Sequence, residues 1–347
     1  MIRLFPAISF LLFALLLSGS ELMAQKIDTV YHINGNILTG DLKKMNYGVI
    51  SWSMEGMGTS SLEVPKVKSM KSSKQFEFKL KEGLIYFGSI DSSNRLHHIY
   101  IVMKNGRELV DINEIVEIYP IRRNFWMRTK GNFSLGLNYT KGSEIATVVL
   151  SGNLNYRPRR SIYEIKWSSN NTVNLLEDTL TSKRTDVTLS WQYLLQKNWS
   201  VGIFGGASQN TQLGIRIRWD LAGLVIRDVV YNHWNRFWVG AGLSVQRETP
   251  FSGEYTLDDL AGVTTIVWKV YKYTQPKVWL DSDLTFLPYI TGDSRYRLNL
   301  NVNPSISIID DDLKVGFEYY YSYDSRPPVN ASTFDWGINL EITYSFH

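Results

Sequence analysis

Every second residue of the closing run Trp336-Gly337-Ile338-Asn339-Leu340-Glu341-Ile342-Thr343-Tyr344-Ser345-Phe346 is apolar or aromatic, and the residues between are mostly polar. Side chains on a strand alternate between its two faces, so this run carries one apolar and one polar face. The pattern recurs in twelve segments from Trp126 onward. Most reach the roughly 9–11 residues that a tilted strand needs to cross a bilayer. A wall between lipid and a polar lumen demands this pattern. It also explains a mean hydropathy of only -0.17, because half of each strand is polar. The 20 tyrosines and 11 tryptophans supply the aromatic girdles of such a barrel.

The first segment sets Phe133, Leu135, Leu137 and Tyr139 on the apolar face, and the fourth sets Val187, Leu189, Trp191 and Tyr193 there. The sixth sets Leu213, Ile215, Ile217 and Trp219 against Arg216, Arg218 and Asp220. In the eighth, near Ile266 to Tyr273, the face is ambiguous. Connector lengths give an independent test, since periplasmic turns are short and outer loops long. The even-numbered connectors are Arg157-Pro158-Arg159-Arg160, Gln196-Lys197-Asn198, Asn232-His233-Trp234-Asn235, Thr274-Gln275-Pro276 and Asp310-Asp311-Asp312. The longest connectors, near 169–183, 248–261 and 324–332, fall on the other side. This parity expects the N-terminal region to be periplasmic.

At the N-terminus, Arg3 precedes the apolar run Leu4 to Leu17 and then Leu22-Met23-Ala24-Gln25. A charged start, a short apolar run and a small residue before the cut read as a signal peptide over residues 1–24. The chain has no cysteine, which removes disulfides, thiol catalysis and a lipoprotein anchor. A net charge of +4 without a Lys/Arg run gives no footprint for nucleic acid.

Residues 27–121 contain one unit twice, offset by 48. Gly35-Asn36-Ile37-Leu38-Thr39-Gly40 aligns with Gly83-Leu84-Ile85-Tyr86-Phe87-Gly88, and Val64-Pro65-Lys66-Val67-Lys68-Ser69-Met70 aligns with Ile112-Asn113-Glu114-Ile115-Val116-Glu117-Ile118. Each unit reads as about five short strands, with the second glycine a candidate bulge or close backbone approach. The expected fold is all-β: two small SH3-like or Sm-like barrels, over 26–73 and 74–122, followed by a 12-stranded antiparallel transmembrane barrel over 126–347.

These features resemble the outer-membrane family catalogued as domain of unknown function 481. The motif Asn34-Gly35-Asn36-Ile37-Leu38-Thr39-Gly40, the opening strand Gly131-Asn132-Phe133-Ser134-Leu135-Gly136-Leu137 and the later Gly240-Ala241-Gly242-Leu243-Ser244-Val245-Gln246-Arg247-Glu248 carry the likeness. Gly142-Ser143 departs from the family's Gly-Asn turn. The resemblance implies a fold and an outer-membrane location and brings no established activity.

The lumen face is expected to carry both signs of charge. Lys166, Arg184, Arg216, Arg218, Arg295, Arg297 and Lys314 stand against Glu164, Asp186, Asp220, Asp281, Asp283, Glu318, Asp335 and Glu341. They read either as a selectivity-setting lining or as an ion-pair network that fills the interior, and the second is favoured. A hydrolase would need a nucleophile with a general base in reach. The barrel region offers only His233, in an expected periplasmic turn, and His347. His97-His98, adjacent on an expected strand, point to opposite faces and do not suggest a metal site. The expectation is therefore a non-enzymatic narrow pore or structural platform without cofactor, with a lipid-modifying hydrolase as the alternative. Its expected partners are outer-membrane lipids, the barrel-assembly machinery through the strand ending at Phe346, and a periplasmic protein or cell-wall component for residues 26–122.

Overall fold

The computed structural model describes residues 28–121, 129–140, 144–158, 160–174, 179–251, 257–272, 276–291, 294–309, 313–327 and 331–346. The leader over 1–24 and the turn Gly142-Ser143 lie outside them. No described helix is long and apolar enough to cross a membrane, a test that does not bear on strands.

Nine strands form the N-terminal module: β1 (Asp28–His32), β2 (Ile37–Asn46), β3 (Val49–Met54), β4 (Gly58–Glu63), β5 (Val67–Leu80), β6 (Ile85–Ser92), β7 (His98–Met103), β8 (Gly106–Asp111) and β9 (Ile115–Pro120). They lie in the order β4-β3-β2-β1-β5-β6-β7-β8, and β9 pairs with both β2 and β5. That double pairing closes β1, β2, β9 and β5 into a small four-stranded barrel, with the other strands as wings.

The 48-residue offset reappears in the strand registers. Val30 pairs with Leu38 as Phe78 pairs with Tyr86, and Thr29 pairs with Lys71 as Glu77 pairs with Tyr119. Gly40 and Gly88 are the same close approach in each half: a Cβ would lie 2.3 Å from the Ser53 carbonyl oxygen and 2.3 Å from that of Val102.

Two separate SH3-like or Sm-like barrels do not form among the described strands. The boundary expected at 73/74 falls inside the continuous β5, which serves both halves. Val30, Met45, Phe76, Ile99 and Ile118 share one core. A unit of about 45 residues has too little interior to be stable alone, so the halves gain by sharing a strand and a core.

Twelve further strands close a barrel in sequence order. They are β10 (Thr129–Thr140), β11 (Ile145–Tyr156), β12 (Ser161–Asn174), β13 (Thr179–Leu194), β14 (Trp199–Asn210), β15 (Ile215–Tyr231), β16 (Asn235–Pro250), β17 (Leu257–Lys272), β18 (Val278–Pro288), β19 (Tyr296–Ile309), β20 (Leu313–Asp324) and β21 (Phe334–Phe346). Phe133, Leu135, Leu189, Trp219, Leu243, Phe317, Trp336 and Leu340 are all exposed on the outer surface. An apolar belt of that extent is a surface for lipid.

Three sequence expectations change here. Leu213 and Ile215 are buried rather than lipid-facing. The ambiguous eighth segment belongs to β17, whose Trp268 faces outward while Ala261, Val263, Val267 and Tyr271 are buried. Both of its faces are apolar, which erased the alternation. Strands also take up most of the connectors near 169–183 and 248–261. Connectors 251–256, 289–295 and 325–333 remain the longest, all at one end.

Candidate functional site

The inward face of β15 changes character along its length. Arg218 and Asp220 lie toward the long-connector end, Ala222, Leu224 and Ile226 lie in the middle, and Asp228 lies at the opposite mouth. Ala222, Leu224 and Ile226 pack with Val263 and Leu287, and Phe204 and Trp238 close over them. That side of the lumen is filled by an apolar layer between two charged layers.

The upper charged layer is compact. Arg295 reaches Asp324 at 2.6 Å and Glu248 at 3.2 Å, and Arg297 reaches Glu248 at 2.5 Å and Asp324 at 2.8 Å. All four side chains are buried. Burying charge is costly unless partners compensate it, and two cations against two carboxylates satisfy that condition.

The lower layer joins the barrel to the module. Strands β5 and β9 alternate, so Phe78 and Ile118 enter the module core while Glu77, Lys79, Glu117 and Tyr119 face the barrel mouth. Lys79 donates to Asp228 at 2.9 Å, and Arg236 reaches the same carboxylate at 2.7 Å. Arg157, in the β11–β12 turn, reaches Glu117 at 2.7 Å and Glu77 at 3.3 Å. The Tyr231 hydroxyl donates to Glu117. Three carboxylates thus meet three cations. Burial alone would raise the Glu117 carboxyl, but Arg157 and then Lys79 outweigh it and bring it down to about 2.

Backbone contacts lock the same interface. His233 Nε2 donates to the Ile115 carbonyl at 2.8 Å, and Asn198 Nδ2 donates to that of Lys81 at 2.8 Å. Burial holds the His233 imidazole below its ordinary range, partly offset by that hydrogen bond. Gly83 sits at φ +77°, and a Cβ there would lie 2.1 Å from the Asn198 nitrogen. Tyr47 stacks on Tyr271 of β17 at 3.7 Å, and Lys130 of β10 lies over Tyr119 at 4.9 Å. The module therefore covers the mouth at the short-connector end, from β10 round to β17.

The expected lumen residues divide into several groups. Lys166 faces inward with Glu164 at 3.4 Å, yet its side chain is 57% exposed, so the lumen beside β12 is open to water. Arg184 pairs with Asp186 at 3.0 Å and lies over Tyr320. Asp281 meets Lys269 at 3.3 Å, and Asn301 donates to Asp283 at 2.9 Å. Asn339 donates to Glu318, Ser151 to Glu341 and Asn210 to Asp335. Lys314 lies over Trp279 at 3.6 Å.

Arg216 stands at a break in the alternation. Bulges at 208/210 and 215/217 place Ile215 on the inward face opposite Asn210 and leave Arg216 exposed. Sequence reasoning missed Lys79, Glu117, Asp228, Arg236, Glu248 and Asp324. The available signal was a charged residue inside an otherwise apolar stretch, as with Glu117 in β9 and Asp228 beyond Leu224-Val225-Ile226. His97 precedes β7 in a turn at φ +58° and bonds the Val67 carbonyl, correcting its expected strand position. Among the described residues no group of three His, Cys, Asp or Glu is placed to hold a metal ion.

A closed antiparallel barrel with an outward apolar belt and an inward polar lining has the fold of outer-membrane β-barrel proteins. The chain belongs to the family described as "Protein of unknown function, DUF481", which matches residues 133–346. No curated protein matches it. Among solved structures it is similar to the NanC porin, at 13% identity over 62% of this chain and 99% of that one, with a TM-score of 0.40. It is also similar to the translocator domain of autotransporter NalP from Neisseria meningitidis, at 10% identity over 63% and 86%, with a TM-score of 0.32. CdiB from Acinetobacter baumannii aligns at 6% identity over 94% and 80%, with a TM-score of 0.38.

Proposed function

We propose that this protein is a non-enzymatic outer-membrane barrel that holds its own N-terminal module across its periplasmic mouth. It serves as a structural and binding platform with at most a narrow path through the lumen. The observation that carries this reading is the buried network of Lys79, Asp228, Arg236, Glu117, Glu77 and Arg157 at the short-connector end. Short connectors mark the periplasmic end of such barrels, and the signal-peptide pattern agrees. The inward ion pairs act as interior filling, because lipid leaves charge no other place. The outermost sheet strands β4 and β8 are largely exposed and present the module to a periplasmic or cell-wall partner. His233 serves as a docking residue, since its Nε2 is committed to Ile115.

A planar-bilayer record of the purified full chain tests the closed mouth: only rare, small steps are expected, and sustained large steps refute it. Protease added to intact cells should cut tags near 175 or 255 and spare one near 30. The reverse pattern refutes the orientation, and hydrolysis of phospholipid or lipopolysaccharide by the purified protein refutes the non-enzymatic role.

A further inference from the structure

The barrel closes through its shortest strand ladder. Strand β10 pairs with β21 only from Gly131 opposite Phe346 to Gly136 opposite Glu341. On its other side β10 pairs with β11 up to Thr140 opposite Ile145. Strand β21 likewise pairs with β20 up to Phe334 opposite Tyr323. Leu137–Thr140 and Phe334–Leu340 are thus regular strand with one paired edge each, and their free edges face one another. The backbone ladder between these two strands is therefore open in the half of the belt away from the module, and that opening is termed the slot.

Unpaired backbone donors and acceptors are not tolerated against hydrocarbon. Here the slot borders the wetter side of the lumen, where inward-facing Asn138 is exposed. Its inner lip can therefore be satisfied by polar groups, while its outer lip continues directly into the apolar belt of Trp336, Ile338 and Leu340. Beside it on the outer surface, Tyr319, Tyr321, Phe334 and Trp336 line an aromatic depression. Inside, Glu341 sits at the last paired position and Glu318 lies nearby on β20. Their hydrogen bonds go to the neutral Ser151 and Asn339.

The geometry points to a lateral binding slot for a membrane lipid with an ammonium headgroup, its acyl chain between β10 and β21 and its headgroup toward Glu318 and Glu341. An inserted β-strand fits less well. It would need two strand spacings, about 9.5 Å across, whereas the slot tapers to an ordinary pairing at Gly136. An acyl chain tolerates the taper, and two carboxylates without a cation among their hydrogen-bond partners complement an ammonium. This inference rests on the reading that the barrel spans a membrane.

The test uses the full chain in vesicles of phosphatidylethanolamine with radiolabelled acyl chains. A photoreactive benzoylphenylalanine is placed at inward Asn138, at inward Thr188 on β13, or at outward Leu189. Labelled adducts are expected at Asn138 and Leu189 and not at Thr188. In a cysteine-free chain, Leu137→Cys with Leu340→Cys, the first opposed positions beyond the Gly136–Glu341 pair, allows the slot to be locked by oxidation, and this should abolish labelling at Asn138 alone until reductant is added. Phosphatidylglycerol vesicles, or Glu318→Gln with Glu341→Gln, should weaken labelling at Asn138 and leave Leu189 unchanged. Labelling at Leu189 with none at Asn138, or labelling that survives the lock, overturns the slot. Equal labelling from phosphatidylglycerol overturns the headgroup assignment, a polypeptide adduct at Asn138 replaces the lipid by a partner strand, and no labelling at Leu189 overturns the membrane reading itself.

Discussion

Lys79 of the N-terminal module and Asp228 of the barrel wall form a 2.9 Å ion pair whose side chains are 5% and 4% exposed. They are 149 residues apart in sequence and belong to different parts of the fold, so the pair exists only when the two parts are docked. Removing one partner of a buried pair costs roughly 3–5 kcal/mol, because the other is left uncompensated. Asp228→Asn, which strands both Lys79 and Arg236, should approach that range. Lys79→Met should cost less, since Arg236 still faces Asp228. Protease sensitivity of the module in folded full-length protein, followed against urea, measures both, and equal costs would contradict the shared-carboxylate arrangement.

Acid should release the module in two stages. His233 is held below its ordinary pKa, chiefly by burial. The unfolded or undocked state therefore binds more protons, and His233's contribution is present above about pH 6.5 and lost as pH falls below it. Glu117 is lowered to about 2, so its contribution is present above the ordinary carboxylate range, near pH 4.5, and fades as pH falls toward 2. Melting midpoints across pH 8 to 2 should decline in both windows. His233→Gln should remove the upper decline and keep the lower.

On β13, Leu189 is 56% exposed on the lipid face while Ser190 points inward. Leu189→Arg should destabilise the barrel by roughly 2–4 kcal/mol, the cost of a cation near the bilayer midplane. Ser190→Arg should cost less, because Lys166 shows that the lumen on this side holds water. Equal urea-unfolding free energies would reverse the face assignment.

The module core contains residues from Val30 to Ile118 and none from the barrel. Residues 26–121 expressed alone should give a β-type circular dichroism spectrum and a cooperative melt. In that fragment Glu117 has lost Arg157 and Tyr231. Its carboxyl resonance should titrate well above its full-length midpoint, and an unchanged midpoint would show that the barrel partners do not set it.

Much of the barrel was legible because lipid on one side imposes a strict alternation, as in β21 from Phe334 to Phe346. Legibility failed where that asymmetry failed. In β17, Val263 and Val267 turn apolar side chains inward onto a packed layer, so neither face stands out. In β15, a bulge at 215/217 breaks the alternation at Arg216, and a bulge has no reliable mark in residue type. The module's repeat was readable, but β5 bridging the two halves was not, because strand sharing is settled by packing across the whole unit. The docking network was hidden for a related reason: Glu77 and Lys79 look like the solvent face of an ordinary strand until the barrel covers them.

Strand β9 ends at Pro120 and β10 begins at Thr129, so the module is leashed to the opening it covers. Even fully extended, residues 121–128 reach only about 30 Å at ~3.5 Å per residue. Rebinding is therefore intramolecular, at an effective concentration on the order of millimolar for so short a tether. A contact too weak to hold two free proteins together would still keep this lid shut. A soluble competitor would have to outbid a neighbour that never diffuses away.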